Sequence, residues 1–116
     1  MDAETRSPME LVVMLYEGAI RFVGEAREAI RQGDVIARTT ATSRALDIVS
    51  ELQNTLNVKE GGEIAAELDR LYSYINARLL DVTRGDAVAA DEIARLLTTL
   101  RDAFSQVAAG VDAEPR

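Results

Sequence analysis

Ser7-Pro8-Met9-Glu10-Leu11-Val12-Val13-Met14-Leu15-Tyr16-Glu17-Gly18-Ala19-Ile20-Arg21-Phe22 opens a helix and carries more apolar surface than one helix face requires. Ser7 is placed to accept a hydrogen bond from the free amides of the first turn. Pro8 suits the first helical position, where no donor is needed, and Glu10, three past the cap, completes a capping box. Behind this start Leu11, Val12, Leu15, Tyr16, Ala19, Phe22, Val23, Ala26 and Ile30 recur by threes and fours, the period of a helix that buries one face. A first helix over about residues 8–32 follows. Gly33 ends it by taking the left-handed conformation, and Asp34 caps the next helix.

So short a turn sends the second helix, about 35–57, back antiparallel to the first. Its buried face is Ala41, Ala45, Ile48, Val49, Leu52 and Leu56. Thr39, Thr40, Thr42 and Ser43 give its first half weak propensity, so packing must hold it. Asn57-Val58-Lys59-Glu60-Gly61-Gly62 breaks the pattern and is the longest connection. A third helix, about 63–84, carries Ile64, Leu68, Leu71, Tyr72, Ile75, Leu79 and Val82 on one stripe. Gly85-Asp86 repeats the stop-and-cap chemistry and opens a fourth helix, about 87–109, with Ile93, Leu96, Leu97, Leu100, Phe104 and Val107 inward. Gly110 is expected to end it and residues 111–116 to form a loose tail. The expected architecture is all-α: a single domain, 1–116, folded as an antiparallel up-and-down four-helix bundle with short first and last turns.

Composition narrows the chemistry. With 116 residues, 47% of them hydrophobic, the chain buries a core without staples. It has no cysteine and no histidine, so thiolate sites, the commonest general base and the commonest metal ligand are all missing. A di-iron bundle needs Glu-x-x-His on facing helices, and a phosphotransfer or haem bundle needs histidine as well. Gly61-Gly62 lacks the lysine and hydroxyl of a phosphate loop. Arg84-Gly85-Asp86 spells an adhesion tripeptide, but it has the same turn-and-cap role as Gln32-Gly33-Asp34. A net charge of −7 disfavours nucleic acid and anionic membrane as partners. The polar, acidic start Met1 to Arg6 is no export signal, and no stretch suffices for a membrane span. The expectation is a cytoplasmic, non-enzymatic protein without cofactor or metal.

What remains is surplus apolar surface. Helix one, wound at 100° per residue, shows an apolar arc of about 200° in its first half, against somewhat over 100° for an ordinary surface helix. Met9, Val13 and Ile20 lie beyond one edge of the core stripe, with Tyr16 at the boundary and Met14 on another side. Leu46 on helix two and Leu80 on helix three are further outliers, Leu80 bordered by Ser73, Asn76 and Ala77, with Tyr74 on another flank. A bundle helix touches two neighbours, so a wide arc also fits a purely internal role. Gathered on one face, such residues would form a groove for an amphipathic helix. The candidate binding set is Met9, Val13, Tyr16, Ile20, Leu46, Tyr72, Asn76 and Leu80. Charge substitutions at Leu80 or Ile20 are expected to weaken binding and spare the fold.

The same residues resemble a family. Ser7-Pro8-Met9-Glu10-Leu11 followed by Met14-Leu15-Tyr16-Glu17-Gly18-Ala19 is similar to the opening of the flagellar secretion chaperones of the FliS family. Ala45 to Leu56, Gly61-Gly62-Glu63-Ile64-Ala65, Leu71-Tyr72 with Tyr74, and Leu100-Arg101-Asp102-Ala103-Phe104 resemble its later motifs, with Phe104 where tryptophan is usual. The resemblance spans nearly the whole chain. It implies a helical bundle that binds the C-terminal segment of flagellin, keeps it from polymerising early and delivers it to the flagellar type III export apparatus. That segment forms amphipathic helices that pack only in the filament. Members of the family usually carry an N-terminal segment before the Ser-Pro motif that can lie over the client surface. Here only Met1 to Arg6 precede the motif, as in a short family variant or a trimmed start, so the resemblance carries over no self-capping mechanism. If nothing covers the groove, self-association of the free protein is expected. A helix-binding adaptor or regulator of flagellar assembly with a different client is the alternative, with a bundle enzyme well behind.

Overall fold

The computed structural model describes residues 6–113, without the side chains of residues 58, 60 and 111–113. Expectations for residues 1–5 and 114–116 lie outside the described residues. Among the described residues there are four helices, α1 (Pro8–Gln32), α2 (Val35–Asn54), α3 (Val58–Thr83) and α4 (Ala87–Ala113), and no strand. Each packs on the next in sequence and α4 returns to α1, giving an elongated four-helix bundle of 53 × 33 × 21 Å.

The helix starts and tight turns follow from local hydrogen bonds. Ser7 Oγ accepts from the Glu10 amide at 3.1 Å, and Glu10 Oε1 accepts from the Ser7 amide at 2.9 Å, closing the capping box. Gly33 takes φ 73°, left-handed, and Asp34 accepts from the Ala37 amide at 3.0 Å. Gly85 at φ 99° and Asp86, accepting from the Ala89 amide at 3.0 Å, do the same between α3 and α4. Arg38 of α2 donates to the Thr83 carbonyl at 2.9 Å, which joins both tight turns into one end of the bundle.

The middle connection and the last helix differ from the sequence pattern. α2 stops at Asn54, capped by Thr55, and α3 begins at Val58. One turn later Gly62 takes φ 64°, ψ −142° and interrupts α3, a backbone region open to glycine almost alone. Gly110 does not end α4, which runs through it to Ala113, so residues 111–113 of the expected tail are helical. The reason is local: among the described glycines only Gly33, Gly62 and Gly85 take positive φ, and a glycine stops a helix only where it turns left-handed.

The core follows the stripes, with Val23, Val49, Leu52, Ile75, Leu79, Val82, Ile93 and Leu97 essentially solvent-free. Small residues let α1 approach its neighbours: Ala19, Ala26, Ala45, Ala89 and Ala90 are fully buried, and a Cβ on Gly18 would stand 3.2 Å from Ile48 Cδ1. Tyr16 of α1 and Tyr72 of α3, diagonal partners in the ring, meet at the centre. Their hydroxyls hydrogen-bond to each other, with ring centroids 6.4 Å apart. Phe104 of α4 stacks on Tyr16 at 5.5 Å and 19°. Burial pushes both phenols above their ordinary pKa, and the bond to Tyr72 adds to the shift at Tyr16.

A phenol whose pKa is raised by folding ionises first in the unfolded chain. Its stabilising share is therefore complete below pH about 10 and is lost as pH climbs further. The melting temperature is expected to fall above pH 10, and less steeply in the double variant Tyr16→Phe/Tyr72→Phe, as followed by circular dichroism. At pH 7 the single variant Tyr16→Phe strands the Tyr72 hydroxyl and should lower Tm by about 4–8 °C. The double variant should recover part of that loss.

Candidate functional site

The structure does not gather the eight sequence-derived candidates on one face. Tyr16 and Tyr72 lie in the core, 0% and 2% exposed, because their hydroxyls satisfy each other there. They are not surface contacts of this fold. Ile20 and Leu46 are half-buried and pack against the core cluster. Val13 lines a shallow hollow of about 350 Å³ between α1 and α4, beside Glu10, Met14, Glu17 and Ala108, while half-buried Met9 is not part of its lining. Asn76 sits at the α2–α3 seam, where its Nδ2 reaches Ser50 Oγ at 3.4 Å and its Oδ1 is buried without a partner. Leu80 is 49% exposed.

A more apolar groove lies elsewhere. Ile64, Leu68 and Leu71 of α3 face Leu100, Ala103 and Phe104 of α4 across an open hollow of about 350 Å³, with Glu67 the only ionisable group in its lining among the described residues. It occupies the end of the bundle away from the tight turns. Ile64 is 73% exposed. Leu11, Met14 and Val107 are also exposed, and the up-and-down topology places them at this same end. Leu11, Ile64 and Val107 each belong to a stripe that reads as core in the sequence.

The two halves of the α3–α4 seam contrast in chemistry. Toward the Gly85 turn Arg78 of α3 bonds Glu92 of α4 at 2.8 Å and Asp81 at 2.8 Å. Tyr74 donates to Glu92 at 2.5 Å. That hydrogen bond and the Arg78 guanidinium hold the Glu92 carboxyl below the usual range, while Glu92 and Asp81 raise Arg78. Toward Gly62 no ion pair between α3 and α4 is found among the described residues. There the helices face each other through partly exposed apolar side chains.

The groove was within reach of the sequence only indirectly. Its lining residues share the period of true core residues, so periodicity alone does not separate them. The one local signal is the Gly61-Gly62 pair two residues before Ile64, where Gly62 breaks the helical geometry of α3. The candidate arrangement suits apolar docking. Among the described residues no cluster of three carboxylate, thiol or imidazole groups is placed to hold a metal, and no helix is long and apolar enough to cross a membrane.

Leu80 and Ile20 therefore separate. Leu80→Glu, on an exposed face, should shift Tm by no more than about 2 °C. Ile20→Glu, forcing a carboxylate against the core, should cost about 2 kcal/mol or more and lower Tm by about 8 °C or more. Thermal melts of the two variants decide this, and equal Tm values would return Ile20 to the surface.

Comparison with known proteins agrees with this geometry. The family model described as flagellar protein FliS matches residues 1–111. The chain is 40% identical over 103 residues to the flagellar secretion chaperone FliS of Salmonella typhimurium, covering 87% of this chain and 76% of that protein. It is 32% identical over 103 residues to the FliS chaperone of Bacillus subtilis, covering 88% and 76%. To that of Campylobacter jejuni it is 44% identical over 71 residues, 61% of this chain and 56% of the relative. These are chaperones and not enzymes. The four-helix bundle, the match along nearly its whole length and these relatives place the chain in the FliS family of flagellar secretion chaperones.

Proposed function

We propose that this chain binds the C-terminal amphipathic segment of flagellin in the cytoplasm, keeps it from polymerising before export, and delivers it to the flagellar type III export apparatus. The observation that carries the reading is the open apolar groove between α3 and α4 in a member of a secretion-chaperone family. A flagellin terminal helix outside the filament has an apolar face with no neighbour. Laid along Leu68, Leu71, Leu100 and Phe104, that face gains roughly 25 cal/mol for each Å² of apolar area removed from water. Ordering the segment takes back a large part of the gain, so the contact has to be long as well as apolar. Exposed Leu11, Met14 and Val107 add further apolar surface at the same end of the bundle. The net charge of −7 favours a client whose flanking groups are basic or neutral.

Titration calorimetry with a peptide of the flagellin C-terminal segment is expected to give a Kd in the micromolar range or below. Ile64→Glu should weaken that binding at least about tenfold, the effect of about 1.4 kcal/mol, with Tm little changed because Ile64 is mostly exposed. Absence of heat at high micromolar peptide would sink the reading. An open apolar groove also supports self-association of the client-free chain. Sedimentation velocity should show mass rising with concentration and reverting on addition of peptide, whereas a strictly monomeric species throughout would count against it.

A further inference from the structure

We infer that Tyr16 is the positioning residue that sets the width of the α3–α4 groove. Tyr16 belongs to neither wall, yet it touches both. Its hydroxyl bonds Tyr72 of α3, directly next in sequence to the groove residue Leu71. Its ring stacks at 5.5 Å on Phe104, which lines the groove from α4. In this half of the seam there is no ion pair between α3 and α4 among the described residues, and the two helices pack on each other least closely of the four neighbouring pairs. The separation of the walls is thus held from behind, by a side chain of α1 that is itself 0% exposed. A hydrogen bond fixes one wall to the ring, and a stacking contact fixes the other.

Interaxial distance between packed helices follows the size of the side chains between them, over about 8–10 Å. A smaller residue at position 16 therefore lets α3 and α4 close toward each other and narrows the groove. Tyr16→Phe keeps the ring as spacer but releases the α3 wall. The proposal has a binding consequence, which rests on the groove being the flagellin site, and a geometric one, which does not.

The test uses both. The chain has no cysteine, so spin labels at Arg70→Cys on α3 and Gln106→Cys on α4 report the separation cleanly. Tyr16→Leu is expected to shorten the mean distance by about 1–2 Å, and Tyr16→Phe to broaden the distribution with little change in its mean. Val82→Ala, a core deletion away from the groove, controls for lost stability and should change neither. In the binding arm, two versions of the flagellin C-terminal peptide carry Leu or Phe at the same apolar position. Tyr16→Leu should lower the Phe-to-Leu affinity ratio by about threefold to tenfold, relative to the unaltered chain and to Val82→Ala. An unchanged distance in both Tyr16 variants overturns the spacer role, as does a loss of affinity equal for the two peptides. If the unaltered chain binds neither peptide, the flagellin reading fails and the distance measurement alone decides the role of Tyr16. Should Tyr16→Leu not fold, the breadth of the Tyr16→Phe distribution decides it.

Discussion

Two phenol hydroxyls buried at the centre of a bundle that is otherwise apolar there constrain everything around them. A buried hydroxyl without a partner costs about 1–3 kcal/mol, and Tyr16 and Tyr72 meet that demand with each other. The bond spans the diagonal from α1 to α3, so it does not follow from either helix pairing with its neighbour. Sliding α3 by one residue would bury a different side chain opposite Tyr16 and strand both hydroxyls. The apolar stripes tolerate small rotations and shifts because Leu, Ile and Val have no directional needs. The tyrosine pair does not, and it selects one register among arrangements that bury similar area.

The same arrangement explains why the α3–α4 seam is uneven. At the tight-turn end three residues of chain force the helices together, and Arg78, Asp81, Glu92 and Tyr74 close the seam with hydrogen bonds. Such half-exposed ion pairs contribute little stability individually. What they supply is a fixed approach of the two helices. At the far end the chain leaves α2 through a connection broken by Gly62, and nothing local draws α3 to α4. Tyr16 and Phe104 fill the space between them from inside. One seam thereby has a polar, closed half and an apolar, open half.

The sequence spelled out what local chemistry decides. Ser7, Glu10, Gly33, Asp34, Gly85 and Asp86 act within a turn of where they stand, and their caps are seen as read. The stripes located Val23, Leu52, Ile75, Leu79 and Leu97 in the core for the same reason, since period reports the buried face. Gly110 misled because glycine permits a left-handed stop without demanding one. Met9, Val13, Ile20, Leu46, Asn76 and Leu80 were grouped by angular position on separate helices, and angle on one helix does not say which neighbour covers it. Tyr16 and Tyr72 show the converse. Both stand on a core stripe as well as in the candidate binding set, and a hydroxyl is at home in the core when a second hydroxyl arrives from another helix, a match that only the tertiary arrangement displays. The groove residues Leu68, Leu71, Leu100 and Phe104 carry core periodicity, and their partial exposure depends on a helix spacing no single stripe encodes.

A four-helix bundle with one seam held open resembles a larger helical assembly from which a member has been removed. Ile64, Leu68, Leu71, Leu100 and Phe104 present the kind of surface that a further helix would bury, and among the described residues α1 and α2 contribute nothing to its lining. The core is independent of that occupancy, because Ile75, Leu79, Ile93 and Leu97 are already solvent-free. Binding in the groove can therefore be modest in affinity and reversible without placing the fold at risk. Those are the properties a secretion chaperone needs if it is to release a client and remain folded afterwards. Folding stability resides in the closed centre and the capped turns, and the open apolar surface in the other half of one seam, with Tyr16 the side chain common to both.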